Sequence, residues 1–197
     1  MGKCVKNLLL ALVYFIFVNK ISAQDFKYQQ VGLYAKIKAF KLKSITSGDQ
    51  ITLDKNTVFI FLSPECPLSR NYIPELKHIQ STYKNSKIVG VFAGISYTGE
   101  EIKKFLNDYK VTFVAIADKE KKLTQLLKAT VTPEAVLLDK NGKLVYSGLI
   151  DDKIIELGQQ KQMASKHYLT DAIEALEMDK KILISSTKPI GCYINDL

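Results

Sequence analysis

The chain has no tryptophan, two histidines, three cysteines and one arginine among its 197 residues. His78 and His167 stand far apart, and neither falls at a ligand spacing from a cysteine. Zinc-finger arrangements are therefore excluded, and both histidines read as surface residues. Glycine-rich phosphate loops and Ser-His-Asp signatures are absent too. No repeat, low-complexity tract or linker rich in Pro, Gly or Ser divides the chain, so one domain is expected. The apolar run Leu8–Val18 has eleven residues, short of the roughly 20 that a spanning helix needs.

That run has a different meaning. Lys3 and Lys6 precede it and Ile21-Ser22-Ala23 follows it. A basic head, an apolar core and small residues at a cleavage site describe a secretory signal peptide, 1–23. Export to a periplasmic or extracellular space is expected, with membrane contact only through an uncleaved leader. Cys4 lies ahead of the apolar core, the wrong side for a lipid-attachment cysteine. Cleavage also removes Lys3, Lys6 and Lys20 from a chain of formal charge +8. The remaining lysines are scattered rather than stacked, which reads as a solvated basic surface and not as a nucleic-acid interface.

The remainder alternates. Phe40–Leu53 holds Ser-Gly-Asp between two short runs and suggests a hairpin. Thr57–Leu62, Lys87–Ala93 and Thr112–Ala117 are continuous β-branched and aromatic runs, as in strands buried on both faces. Between them, Ile102, Phe105, Leu106 and Tyr109 mark one helix face, and Thr98 with Glu101 forms a capping box. Asp118 can cap a helix carrying Leu123, Leu126 and Leu127. Ala135–Leu138 and Leu144–Leu149 flank an Asn-Gly turn, and Leu169, Ala172, Ile173 and Leu176 mark a last helix. The order predicts an α/β fold: a mostly parallel central sheet with helices on both faces and an antiparallel hairpin edge. The domain is expected over 24–182, followed by a tail, 183–197.

With Cys4 gone, Cys66 and Cys192 remain. In an oxidising compartment they are either a redox pair or two unrelated thiols. Cys66 ends the first buried run and opens a helix carrying Ile73, Leu76 and Ile79, with Pro67 suited to its first position. Unpaired N–H groups and the helix dipole there favour the thiolate, which is the nucleophile. Pro74 falls inside the same helix, where a kink is expected. Asp151-Asp152 reads as a solvated turn.

CPLSRNYIPEL resembles the active-site helix of the thioredoxin-like superfamily, in the exported branch with the pattern Cys-x-x-Cys-Arg-x-x-x-Pro-Glu-Leu. Cys66, Arg70, Pro74, Glu75 and Leu76 match, and Ser69 stands where the second cysteine would be. TVTPEAVLLDKNGKLVYSGLIDD resembles that superfamily's cis-proline strand and following hairpin. The resemblance spans about 34–180. It implies a thioredoxin-like fold of the redoxin type, related to alkyl hydroperoxide reductases and thiol-specific antioxidants. It further implies that Cys66 attacks, and that Pro133 and the Thr132 backbone line the groove receiving a disulfide.

Three readings of the chemistry follow. In thiol–disulfide exchange, Ser69 can donate a hydrogen bond to the Cys66 thiolate but cannot resolve a mixed disulfide, so Cys192 in the tail TKPIGCYINDL is the candidate resolving thiol, reaching Cys66 directly or across a dimer. Ile190, Tyr193 and Ile194 would dock that tail. In peroxide reduction, Ser63 matches a peroxiredoxin hydroxyl position and Arg70 could orient the peroxide or pair with Glu75. However, Phe59 and Pro133 stand where that family has a proline and an arginine. In the third reading the fold carries Cu(I) or binds disulfides without catalysis. The first two need no cofactor, only disulfides, thiols or peroxides and an external thiol reductant.

Overall fold

The computed structural model describes residues 33–194. The expected leader 1–23 and its cleavage site lie outside the described residues. A helix over 33–39 (α1) opens the described chain. There follow β1 (Asn56–Leu62), α2 (Pro67–Thr82), β2 (Ser86–Ala93), α3 (Gly99–Asp108), β3 (Val114–Asp118) and α4 (Lys122–Leu127). The second half holds β4 (Val131–Thr132), β5 (Glu134–Leu138), β6 (Leu144–Gly148), β7 (Ile154–Glu156), β8 (Gln159–Gln160), α5 (Tyr168–Glu177) and β9 (Cys192–Tyr193).

The central sheet runs β3-β2-β1-β5-β6. The β1–β2 and β2–β3 pairs are parallel, whereas β5 joins β1 antiparallel and β6 extends it as a hairpin. All seven residues of β1 are buried, because it has a strand on each side and helices over each face. Its alternation sorts the core in two. Val58, Ile60 and Leu62 join Ile73, Leu76 and Ile79 of α2, Ile102, Phe105 and Leu106 of α3, and Leu169, Ala172 and Ile173 of α5. Phe59 and Phe61 face the other way, onto Tyr34 and Ile37 of α1 and Leu123 and Leu127 of α4. Fully burying each such large side chain stabilises the fold by about 1.5–3 kcal/mol. This is the α/β architecture the sequence implies.

The capping box forms as read: Thr98 Oγ1 accepts from the Glu101 amide at 3.2 Å, and the Glu101 carboxylate accepts from the Thr98 amide at 2.7 Å. The N-cap position of α4 is Lys121 rather than the expected Asp118; Asp118 instead reaches into the first turn and accepts from the Thr124 amide and hydroxyl, each at 2.7 Å. Helix α2 continues through Pro74, whose ring lies on the exposed face.

One expectation is extended and one changes. The hairpin across Phe40–Leu53 forms in short: Lys43 bridges Gln50, the Ser44 amide donates to the Asp49 carbonyl at 2.8 Å, and the Ile51 amide donates to the Leu42 carbonyl at 3.0 Å. Ser44 also bridges to Ile116, and the Ile45 amide donates to the Ala115 carbonyl at 2.8 Å. The segment covers the open edge of β3, which would otherwise present unpaired backbone groups. Asp151 is not a solvated turn residue: it is buried, and accepts from the Tyr72 hydroxyl at 2.5 Å and the Lys153 amide at 2.8 Å. That bond and burial together push the Tyr72 hydroxyl far above its usual range, burial contributing most. Asp152 accepts from Lys161 Nζ at 2.6 Å and from the Ser165 amide at 2.7 Å, tying the β7–β8 hairpin to the approach to α5.

Candidate active site

In open α/β sheets, ligands meet the loops beyond the carboxyl ends of the parallel strands. Here those loops follow β1, β2 and β3, and they bring Ser63, Glu65 and Cys66, then Ile95 to Tyr97, then Lys119 to Lys121 around one cavity of about 490 Å³. Gln125, Thr132 and the tail residues Cys192 to Ile194 complete its wall.

Cys66 is the N-cap of α2, in extended backbone, with Pro67 as the first helical residue. It is 2% exposed. Its Sγ lies 3.0 Å from the Thr132 carbonyl oxygen and 2.6 Å from Cys192 Sγ. An S–S bond is about 2.05 Å, so the two free thiols stand about half an ångström outside covalent range. Burial, the largest influence, pushes the Cys66 thiol up. Donors from the Cys192 thiol, the Ser69 amide and the Thr132 hydroxyl outweigh it and hold Cys66 below the usual thiol range. The Thr132 carbonyl opposes them, since it can only accept, and the N-terminal end of α2 adds to them. Cys192 is pushed the other way, to about 11, by its burial and then by the neighbouring Cys66 sulfur. The two thiols are thus shifted in opposite directions, Cys66 toward the thiolate and Cys192 toward the protonated form.

Cys192 reaches this place through backbone pairing. The Thr132–Pro133 peptide is cis, and it separates the short strand β4 from β5. Glu134, buried beside it, folds back to accept from the Thr130 and Val131 amides at 2.8 and 3.2 Å. Burial raises its carboxyl group, against the lowering effect of those donors. The outer edge of β4 is taken by β9: Val131 pairs with Tyr193, Thr132 pairs with Cys192, and the Ile194 amide donates to the Thr130 carbonyl at 3.0 Å. Gly191 makes the approach possible, because a Cβ there would lie 2.3 Å from the Thr132 carbonyl oxygen. Ile190 and Ile194 pack against the two core clusters. Tyr193 does not dock the tail as expected; in β9 its side chain points away from the core and is 79% exposed.

The remaining sequence candidates are placed as follows. Ser69 is fully buried, and its Oγ accepts from the Ser63 amide at 3.1 Å. The hydroxyl braces the strand-to-helix turn, and only the Ser69 amide serves the sulfur. Ser63 Oγ shares a 2.7 Å hydrogen bond with the Tyr97 hydroxyl, which also donates to Glu65 at 3.4 Å. Pro67 is exposed and does not line the cavity. Arg70 is not brought to the sulfurs: it lines a separate cleft with Asn71, Pro74, Lys77 and Tyr109. Among the described residues no ion pair joins it to Glu75. His78 and His167 are both exposed, and no group of three or more His, Cys, Asp or Glu among the described residues is placed to hold a metal.

Sequence reading missed Tyr97, Glu134 and the charged loop Lys119–Lys121. The strand-end rule that locates ligand sites would have pointed to the loops after β2 and β3. Nothing in the sequence marked Glu134, whose role depends on the fold of its own backbone.

The model of the redoxin family matches residues 23–162, and the chain belongs to that family. It is a thiol-based redox protein by membership, with a thioredoxin-like fold. Among solved structures it is similar to an uncharacterized conserved protein from Geobacillus kaustophilus, at 22% identity and TM-score 0.71 over 80% of this chain and 88% of that one. A hypothetical protein from Sinorhizobium meliloti compares at 21% identity and TM-score 0.69, over 79% and 90%. A secreted Mycobacterium tuberculosis disulfide oxidoreductase homologous to E. coli DsbE compares at 17% identity and TM-score 0.52, over 68% and 94%. No curated protein matches.

Proposed function

We propose that this chain is an exported thiol–disulfide oxidoreductase in which Cys66 attacks and Cys192 resolves. The observation that carries the reading is the 2.6 Å separation of the two sulfurs across β4 and β9. Residues 1–23 are the leader, 24–182 the redox domain and 183–197 the tail that delivers the second thiol. Export is supported by the leader pattern and by the similarity to a secreted disulfide oxidoreductase. No helix among the described residues is long and apolar enough to cross a membrane.

The steps follow from the asymmetry of the pair. The Cys66 thiolate attacks one sulfur of a disulfide, forming a mixed disulfide and releasing the other half as a thiolate. Cys192 gives up its proton to that departing thiolate and attacks Cys66 Sγ. The bond between Cys66 and the substrate breaks, and the second substrate thiol leaves. The protein now holds a Cys66–Cys192 disulfide and the substrate is reduced. An external thiol reductant regenerates the pair by attacking Cys192, the more exposed sulfur, because Cys66 is the better leaving group.

Peroxide reduction is the weaker reading here, because Arg70 lies off the cavity and Ser63 is engaged with Tyr97. Treating the reduced protein separately with a model disulfide and with hydrogen peroxide separates the two. We expect rapid loss of both thiols with the disulfide and sluggish reaction with peroxide. Fast formation of a Cys66 sulfenic acid at low peroxide, with slow disulfide reaction, would reverse the ranking.

A further inference from the structure

The edge of β4 can hold one strand, and this chain fills it with its own tail. Thr187 is the fixed root of that tail. Its amide donates to the Ser147 carbonyl at 3.0 Å. Its hydroxyl accepts from the Leu149 amide at 2.8 Å and shares a 2.9 Å hydrogen bond with Tyr146. Gly148 permits the contact, since a Cβ there would meet the Thr187 carbonyl oxygen at 2.3 Å. Beyond the root, 188–194 is a short arm held by the two β9 residues, the Ile194 amide bond, a 3.4 Å hydrogen bond from the Thr132 hydroxyl to the Cys192 carbonyl, the contact of the two sulfurs and two isoleucines.

An extended polypeptide recognised by the backbone of β4 would add as a strand, and it would have to evict β9 to do so. Eviction removes Cys192, the thiol that is to release that same polypeptide from Cys66. A small disulfide need not disturb β9. It can reach Cys66 through the cavity of about 490 Å³, which lies in the range typical of small-molecule sites. There it meets Tyr97, Glu65, Gln125 and Lys119, groups suited to a polar molecule.

Building on the Cys66–Cys192 pairing proposed above, we propose that the docked arm makes low-molecular-weight polar disulfides the substrates of this site and turns extended polypeptide disulfides away. One small disulfide, R–S–S–R, loses its S–S bond to Cys66 thiolate and gives Cys66–S–S–R plus R–S⁻. Cys192, already paired beside Thr132, attacks Cys66 without chain movement. The second R–S⁻ leaves through the cavity, and the proton from Cys192 goes to a released thiolate. Two electrons pass from the protein thiols to the substrate, and no other oxidant is required. A polypeptide that does displace the arm is held as a long-lived mixed disulfide.

The test compares single-turnover oxidation of the reduced protein by glutathione disulfide and by an extended cysteine peptide supplied as its disulfide-linked dimer. The same two probes are applied to Gly191→Val, whose side chain collides with the Thr132 carbonyl and undocks the arm, and to the chain ending at Thr187. With wild-type protein, glutathione disulfide is expected to yield the Cys66–Cys192 disulfide without accumulating intermediate. In both variants the peptide's first step should accelerate by about tenfold or more relative to that of glutathione disulfide, as for an arm docked nine parts in ten. An unchanged ratio in both variants, or peptide release as fast as small-thiol release in wild type, would overturn the proposal while leaving the pairing intact. If glutathione disulfide leaves no Cys66–Cys192 disulfide in wild-type protein, the pairing itself fails and this inference falls with it.

Discussion

Cys192→Ser is expected to stop the reaction halfway, with a mixed disulfide accumulating on Cys66. The serine hydroxyl keeps the arm's size and its backbone pairing with Thr132 but cannot form the second S–S bond. A tethered thiol acts at an effective concentration of roughly millimolar or above, so the mixed disulfide should last about a thousandfold longer when external thiols are micromolar. Intact-mass measurement after mixing with a small disulfide reads this directly, as protein carrying one substrate half. Prompt loss of that adduct in the variant would mean that something other than Cys192 resolves Cys66.

The second large effect is on pH dependence. Cys66 lies below the usual thiol range, so its thiolate is present at pH values where an ordinary cysteine is still protonated. The rate of the first attack should be flat above its lowered pKa and fall about tenfold per pH unit below it. In the reduced protein the second thiol should not ionise until about pH 11. Serine at 192 replaces a thiol donor beside the sulfur, and any loss of that hydrogen bond shifts the Cys66 inflection upward. Ultraviolet thiolate absorbance and the rate of attack, followed against pH in both proteins, check the order and the direction. A Cys66 inflection at or above that of a free cysteine, about 8.5, would contradict the assigned roles.

The fold was legible because its signals are local and repeated. Buried parallel strands read as unbroken apolar runs, and β1 with its neighbours follows that rule. The helices announce themselves through i, i+3, i+4, i+7 spacing and through Thr98 as a cap. The short hairpin at Phe40–Leu53 was legible from its Ser-Gly-Asp turn, but its place against the sheet was not. Only the open edge of β3, a tertiary feature, brings the Ile45 amide onto the Ala115 carbonyl.

At the site, Cys66 and Thr132-Pro133 were visible as motifs. The nearness of Cys192 to Cys66, 126 positions apart in sequence, was a conjecture from the apolar tail, and only the tertiary pairing with β4 supplies the geometry. Ser69 and Arg70 show the converse. Both sit inside the recognisable motif, yet the turn of α2 spends the Ser69 hydroxyl on the Ser63 amide and directs Arg70 into another cleft. Motif position identified the helix. It did not identify which side chains face the sulfur.

The most direct measurement is peptide mapping of the protein after one equivalent of a small disulfide, without reductant and with the remaining thiols blocked. The account predicts a single linked peptide pair containing Cys66 and Cys192 within one protein molecule, with both thiols gone from the blocked fraction. Recovery of Cys192 as a blocked free thiol alongside a stable Cys66 adduct, or links found only between molecules, would contradict it.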